Sequence, residues 1–150
     1  MVKDILTVLL ISMTPIMELR AAIPVGVASG LELWFSILIS IIGNLIPVPF
    51  IIFFIEKIFE WMKRYPLFKK IVFKMENKAD KKRDLIEKYG YWGLFVLVAV
   101  PLPGTGAWTG SLVAALFNLD IKKSFCFITM GVIGAAIIVS LITYGVANLA

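Results

Sequence analysis

Glu18 and Arg20 stand two residues apart inside the apolar stretch MTPIMELRAAIPVG. A carboxylate can take up and release a proton. A guanidinium stays charged at physiological pH and grips phosphate or carboxylate through a planar fork of donors. At bilayer depth each such charge costs about 2.5–3.5 kcal/mol on insertion scales, so it marks a substrate or ion path. Residues i and i+2 of a helix project to different sides, so the two are poor partners for each other. Each is expected to meet groups elsewhere, or to converge with the other at a turn. Together they supply what a proton-linked anion carrier needs; they would also serve to fasten a turn.

A second cluster is Pro101-Leu102-Pro103-Gly104-Thr105-Gly106-Ala107-Trp108-Thr109-Gly110. Two prolines and three glycines there forbid regular helix. Freed backbone N–H groups, with the Thr105 and Thr109 hydroxyls, suit an anion-sized cavity or a tight turn. This is no phosphate-binding loop of the nucleotide type, because no Gly-Lys-Ser/Thr follows. Trp108 is read as packing first and as a ligand contact second. In Gly43-Asn44-Leu45-Ile46-Pro47-Val48-Pro49, the prolines deprive the Gly43 and Leu45 carbonyls of their helical donors. Asn44 can satisfy them or touch cargo. The candidate substrate- or ion-binding residues are therefore Glu18, Arg20, Asn44, Thr105, Trp108 and Thr109. The expected chain breaks are Pro15, Pro24, Pro101, Pro103, Gly104 and Gly106.

No catalytic residue, metal or cofactor is expected. The chain has no histidine and one cysteine, Cys126, which removes His-based catalysis, most zinc and haem sites, and any intramolecular disulfide. Cys126 is read as packing. An enzyme is not expected.

These residues must be positioned by membrane helices. Of 150 residues 60% are hydrophobic and 17% charged, against roughly 45–50% and 25% in a soluble domain. Four apolar blocks stand out. Ile5–Gly30 is broken at Thr14-Pro15 and Pro24; Trp34–Ile55 is long enough to span; Tyr91–Phe117 is broken at its prolines and glycines; Ile121–Leu149 is long and carries small residues. A shift of 88 aligns Pro15 with Pro103, Leu31-Glu32-Leu33 with Leu119-Asp120-Ile121, and Gly43 with Gly131 without a gap. This reads as two repeats, 1–55 and 91–150, joined by a linker, 56–90, within one membrane domain. A signal-peptide cut near Ala21-Ala22 is not expected, because the small-residue pattern is poor and the repeat includes that region.

Glu56–Lys88 holds eleven Lys/Arg against six Asp/Glu, so it carries the whole net charge of +5. Between apolar blocks this is a positive-inside signal, not a nucleic-acid patch. The linker is expected to be an amphipathic helical segment on the cytoplasmic leaflet. Lys122 and Lys123 follow the second broken block, whereas no base follows the first. Opposite orientations result: an all-α membrane protein built as an inverted repeat of re-entrant hairpin plus transmembrane helix. Arms of about 10–12 residues match half a bilayer and the breakers cluster near the middle of both blocks, which favours hairpins over the rival in which each broken block spans as a kinked helix.

Glu18-Leu19-Arg20-Ala21-Ala22-Ile23-Pro24, then Gly43-Asn44 with Pro47, then Pro101 to Trp108, resemble the small multi-drug export protein family over nearly the whole chain. That family looks like a compact relative of the DedA/VTT superfamily, with opposed re-entrant hairpins. The resemblance implies that Glu18 and Arg20 match the acidic and basic residues of the first hairpin, with a small-molecule or lipid-phosphate substrate. DedA proteins carry arginines near the second hairpin; here the nearest bases in the sequence are Lys122 and Lys123. The expected function is a small secondary transporter or lipid flippase in the cell membrane, handling an anionic or amphipathic substrate. Membrane lipids and protons are the expected partners, in a homo-oligomer and without nucleic acid. A non-transporting membrane scaffold is the alternative.

Overall fold

The computed structural model describes residues 1–149, and among these it forms nine α-helices and no strand. α1 (Val2–Met13) stops because Pro15 holds Thr14 in extended backbone, φ −76 and ψ 146. α2 (Glu18–Ala28) follows after a short turn. Pro24, expected to break the chain, lies inside α2. Its fixed φ suits a helix, and its cost is limited to the bond that would have ended on the Arg20 carbonyl. One such loss is tolerated where neighbouring helices hold the segment.

α3 (Leu33–Leu45) and α4 (Pro47–Met62) join at Ile46, which is itself helical (φ −55, ψ −49). Pro47 begins α4, where a missing N–H costs least. Leu33–Met62 is a near-continuous run of 30 residues, about 45 Å long at about 1.5 Å per residue. Glu32 and Lys63 therefore lie at opposite ends of one long helix. The span continues past Ile55 into the segment assigned to the linker.

α5 (Pro66–Asp80) begins at the anticipated proline, and α6 (Arg83–Tyr89) follows. Lys63 pairs with Glu76 at 2.7 Å and Arg83 with Asp80 at 3.1 Å. The linker is amphipathic, but one face is sealed against protein. Val72 and Ala79 are fully buried, and α5 packs on α8 and α4.

α7 (Tyr91–Ala99) ends where Pro101 holds Val100 extended. α8 (Ala107–Leu116) restarts after Gly104 and Gly106, whose φ values of +80 and +124 suit only glycine. α9 (Ile121–Leu149) is the second helix long and apolar enough to cross a membrane. Cys126, read as a packing residue, is exposed on it. Large apolar side chains such as Phe50, Phe53, Ile137 and Leu141 also point outward, a surface that suits lipid better than water.

The packing order repeats. α1 lies on α2 and α3 as α7 lies on α8 and α9; α2 reaches across to α9 and α8 to α4. Each broken pair thus lays its second arm on the long helix of the other half. Gly43 sits against the Leu9 carbonyl and Ser12, and Gly131 against the Phe95 carbonyl and Val98. A Cβ on Gly131 would meet Val98 Cβ at 2.7 Å and the Phe95 oxygen at 3.0 Å. Gly131→Ala is therefore expected to destabilise the protein by about 1–3 kcal/mol, read as a lowered unfolding temperature in detergent. Gly145→Ala, with nothing within 4 Å, is expected to leave it unchanged or raise it. Equal melting of the two variants would show that the helices do not depend on this close approach.

Candidate functional site

The two chain breaks meet, and all six candidate residues belong to the junction. Glu18 opens α2 with a left-handed backbone, φ +50, which costs a non-glycine residue about 1–2 kcal/mol. That twist sends a 3% exposed side chain into the start of α8. Its carboxylate accepts hydrogen bonds from the backbone N–H groups of Trp108 (3.1 Å) and Ala107 (3.3 Å). An acid is thereby seated on the positive end of a helix whose first donors lack intrahelical partners. A Cβ on Gly106 would lie 2.7 Å from the Glu18 carboxyl carbon, so glycine there makes room for the acid. Trp108 closes the junction from the other side, its indole N–H donating to the Met13 carbonyl at 3.0 Å, the last residue of α1.

Arg20, one turn edge away on α2, does the complementary thing. Its guanidinium donates to the Leu102 carbonyl at 2.5 Å, to Thr105 Oγ1 at 2.8 Å and more distantly to the Val100 carbonyl at 3.4 Å. Those oxygens lie at and beyond the C-terminal end of α7, where a cation is favoured. Thr105 fastens the same turn, its hydroxyl within 2.7 Å of the Leu102 carbonyl and 2.8 Å of Val100. Glu18 and Arg20 therefore do not pair directly among the described ion pairs. The acid holds the start of one arm of the second break, and the base holds the end of the other.

Thr109 Oγ1 reaches the Gly104 carbonyl at 3.3 Å. Asn44 comes in from α3, buried beside the Glu18 carboxylate, with its Oδ1 unpartnered. Beside Trp108 and Thr109 a cavity of about 90 Å³ remains, bounded also by Pro15 and Lys78. At about 30 Å³ per molecule it has room for about three waters, far short of the ~300 Å³ or more of a drug-sized site. The junction is closed in this conformation.

Lys78 is the residue that sequence reasoning missed. A Cβ on Gly104 would lie 3.4 Å from Lys78 Cε and 3.8 Å from its Nζ. The second break thus has a cation after all, lent by the linker helix α5. Lys78 falls one turn beyond Met75, on the side of α5 that faces α4 and α8, which is the signal that would have found it. Among the described residues, no three His, Cys, Asp or Glu side chains gather in a metal-ligating group.

A family model described as "Putative small multi-drug export protein" matches residues 18–138. No curated protein and no solved structure matches the chain.

Proposed function

Because the chain belongs to the small multi-drug export protein family, we propose that it is a membrane transporter in which Glu18 exchanges protons at the meeting point of two opposed re-entrant hairpins. Its substrate is anionic or amphipathic. The repeated packing order and the paired close approaches at Gly43 and Gly131 support the inverted repeat. The placement of Glu32 and Lys63 at opposite ends of one long helix supports a cytoplasmic basic segment facing away from the Ser29–Glu32 turn.

The observation that carries the proposal is the double duty of Glu18. It is a buried titratable acid, and its charge is what two N–H groups of the opposite break hold. Protonation removes that charge and weakens both bonds, since hydrogen bonds to an ionised acceptor are roughly twice as strong as neutral ones. Proton uptake then loosens the junction, and Arg20 and Lys78 stand ready as the cations an anionic cargo would meet. The small size of the cavity favours the scaffold reading, so one experiment must separate the two.

The protein in liposomes, given an inward or outward pH gradient, should move a fluorescent amphipathic anion or a labelled polyprenyl phosphate faster than empty vesicles. Glu18→Gln is expected to remove the gradient-driven part. Wild-type vesicles that match empty ones for every probe, under both gradients, would hand the case to the scaffold.

A further inference from the structure

Ser36, Ser40 and Asn44 recur every four residues on one face of α3, and all three are buried to 1% exposure or less. Ser36 Oγ, Ser40 Oγ and Asn44 Oδ1 have no hydrogen-bond partner. This is unusual within the molecule itself. Ser12, Ser111, Thr129, Ser140 and Thr143 all donate back to a carbonyl of their own helix. Ser36 and Ser40 do not, nor does Ser124 at the start of α9, and buried polar groups left so call for an explanation; among the described residues only on α3 do they form a row.

The row has a direction. Its first member lies beside Gly26 of α2 and Val8 of α1, just inside a surface hollow of about 490 Å³ bounded by Glu32, Ser29 and Phe35. Its last member lies beside the Glu18 carboxylate. Successive members rise about 6 Å along the helix, a gap that one bridging water closes with a hydrogen bond at each side. A serine hydroxyl both donates and accepts, so it can pass a proton along such a chain. The seam has its own small buried cluster, Val8, Ala22 and Ile39, separate from the main core, with Ile5, Leu9, Ile11 and Leu31 packed around it.

The second half lacks the row. Under the shift of 88, Ser36 corresponds to Ser124, but Ser40 and Asn44 correspond to Ile128 and Val132, both fully buried in the main core. A polar line therefore runs to the junction from one end of the molecule and stops against hydrocarbon on the other.

We infer that the seam between α3 and the α1–α2 pair is the proton-access path to Glu18, opening from the Glu32 end alone by admitting water between Ser36, Ser40 and Asn44. This rests on the reading of Glu18 as the exchanging group. The charged group acting on that carboxylate is Arg20 on its own helix, while Lys78 of α5 lies against Gly104 in the second break. α3 carries no titratable residue, α1 carries only Lys3 and Asp4 at its far end, and α9 carries none between Cys126 and Tyr144.

The test follows the carboxylic C=O stretch of Glu18 by infrared difference spectroscopy after a pH step, with the band assigned by its loss in Glu18→Gln. Its hydrogen–deuterium exchange rate is then compared among variants. Ser40→Ala and Asn44→Leu should slow exchange about tenfold or more, because the proton must then wait for wider local opening of the helices. Ser124→Ala should exchange as wild type does. Ser40→Ala should also melt no lower than wild type, since it removes an unpartnered hydroxyl. Exchange at the wild-type rate in both seam variants overturns the path, as does equal slowing in Ser124→Ala or a Glu18 band that never responds to pH. No cargo enters this measurement. Absent transport with slowed exchange would therefore sink the transporter reading and leave the path standing, and the reverse result would sink the path alone.

Discussion

Glu18→Ala should destabilise the folded protein by about 3 kcal/mol. The substitution strands the N–H groups of Ala107 and Trp108 at the buried start of α8, and each unpaired buried donor costs about 1–3 kcal/mol. Against this stands a gain from no longer burying a carboxylate, so the sum falls well below the upper limit. The left-handed backbone at position 18 offers no relief, because alanine is disfavoured at φ +50 as glutamate is. Glu18→Gln keeps the shape but only one acceptor oxygen, so one of the two N–H groups faces an amide NH2, and the variant should lose about 2 kcal/mol, less than alanine. Thermal unfolding of the three proteins in detergent measures both. An alanine variant within ~0.5 kcal/mol of wild type, the range of ordinary surface changes, would mean that the carboxylate does not hold α8.

The second large effect is expected at Arg20, at about 2–3 kcal/mol for Arg20→Ala, the range for hydrogen bonds to a charged group. Here the informative variant is Arg20→Lys. The guanidinium reaches Leu102, Thr105 and Val100 at once through its fork; an ammonium offers one compact centre and cannot span them. Lysine should recover less than half of the loss. Combining Arg20→Ala with Glu18→Ala should cost less than the two singly, by about 1 kcal/mol or more, because both residues fasten the same pair of breaks. Strict additivity would mean that the two ends of the second break are held independently. Full rescue by lysine would mean that only charge matters there.

Much of this junction was legible in the sequence, because charges and helix breakers inside apolar blocks are conspicuous. Thr14-Pro15 and the Pro101–Gly106 run ended helices as their backbone chemistry requires. Whether Glu18 and Arg20 meet each other or groups elsewhere was left open by their spacing; the hydrogen bonds send one to the start of α8 and the other to the end of α7. Pro24 was misread because proline is judged by the bond it deletes, while packing decides whether the helix survives that deletion. Lys78 was hidden for a different reason. A lysine among ten other bases looks like part of a solvated face, and only the packing of α5 on α8 singles it out. Ser36 and Ser40 gave no signal at all. A serine in a spanning helix ordinarily bonds to its own backbone, and that these two do not is a fact of three-dimensional structure.

The crossed grip of the first half on the second has a consequence for how the protein is made. Glu18 precedes the donors that satisfy it by 89 and 90 residues, and Arg20 precedes its farthest acceptor by 85. At about 5–20 residues per second, translation leaves both charges without those partners for roughly 4–18 s. Over that interval the nascent first half carries an acid and a base in an apolar segment without the second break opposite them. From its own half, Asn44 is the polar side chain set beside Glu18. The wait ends only when the second break is synthesised. Biogenesis of this small protein thus passes through a stage less suited to lipid than either its beginning or its end, and a ribosome stalled before residue 107 would hold it there.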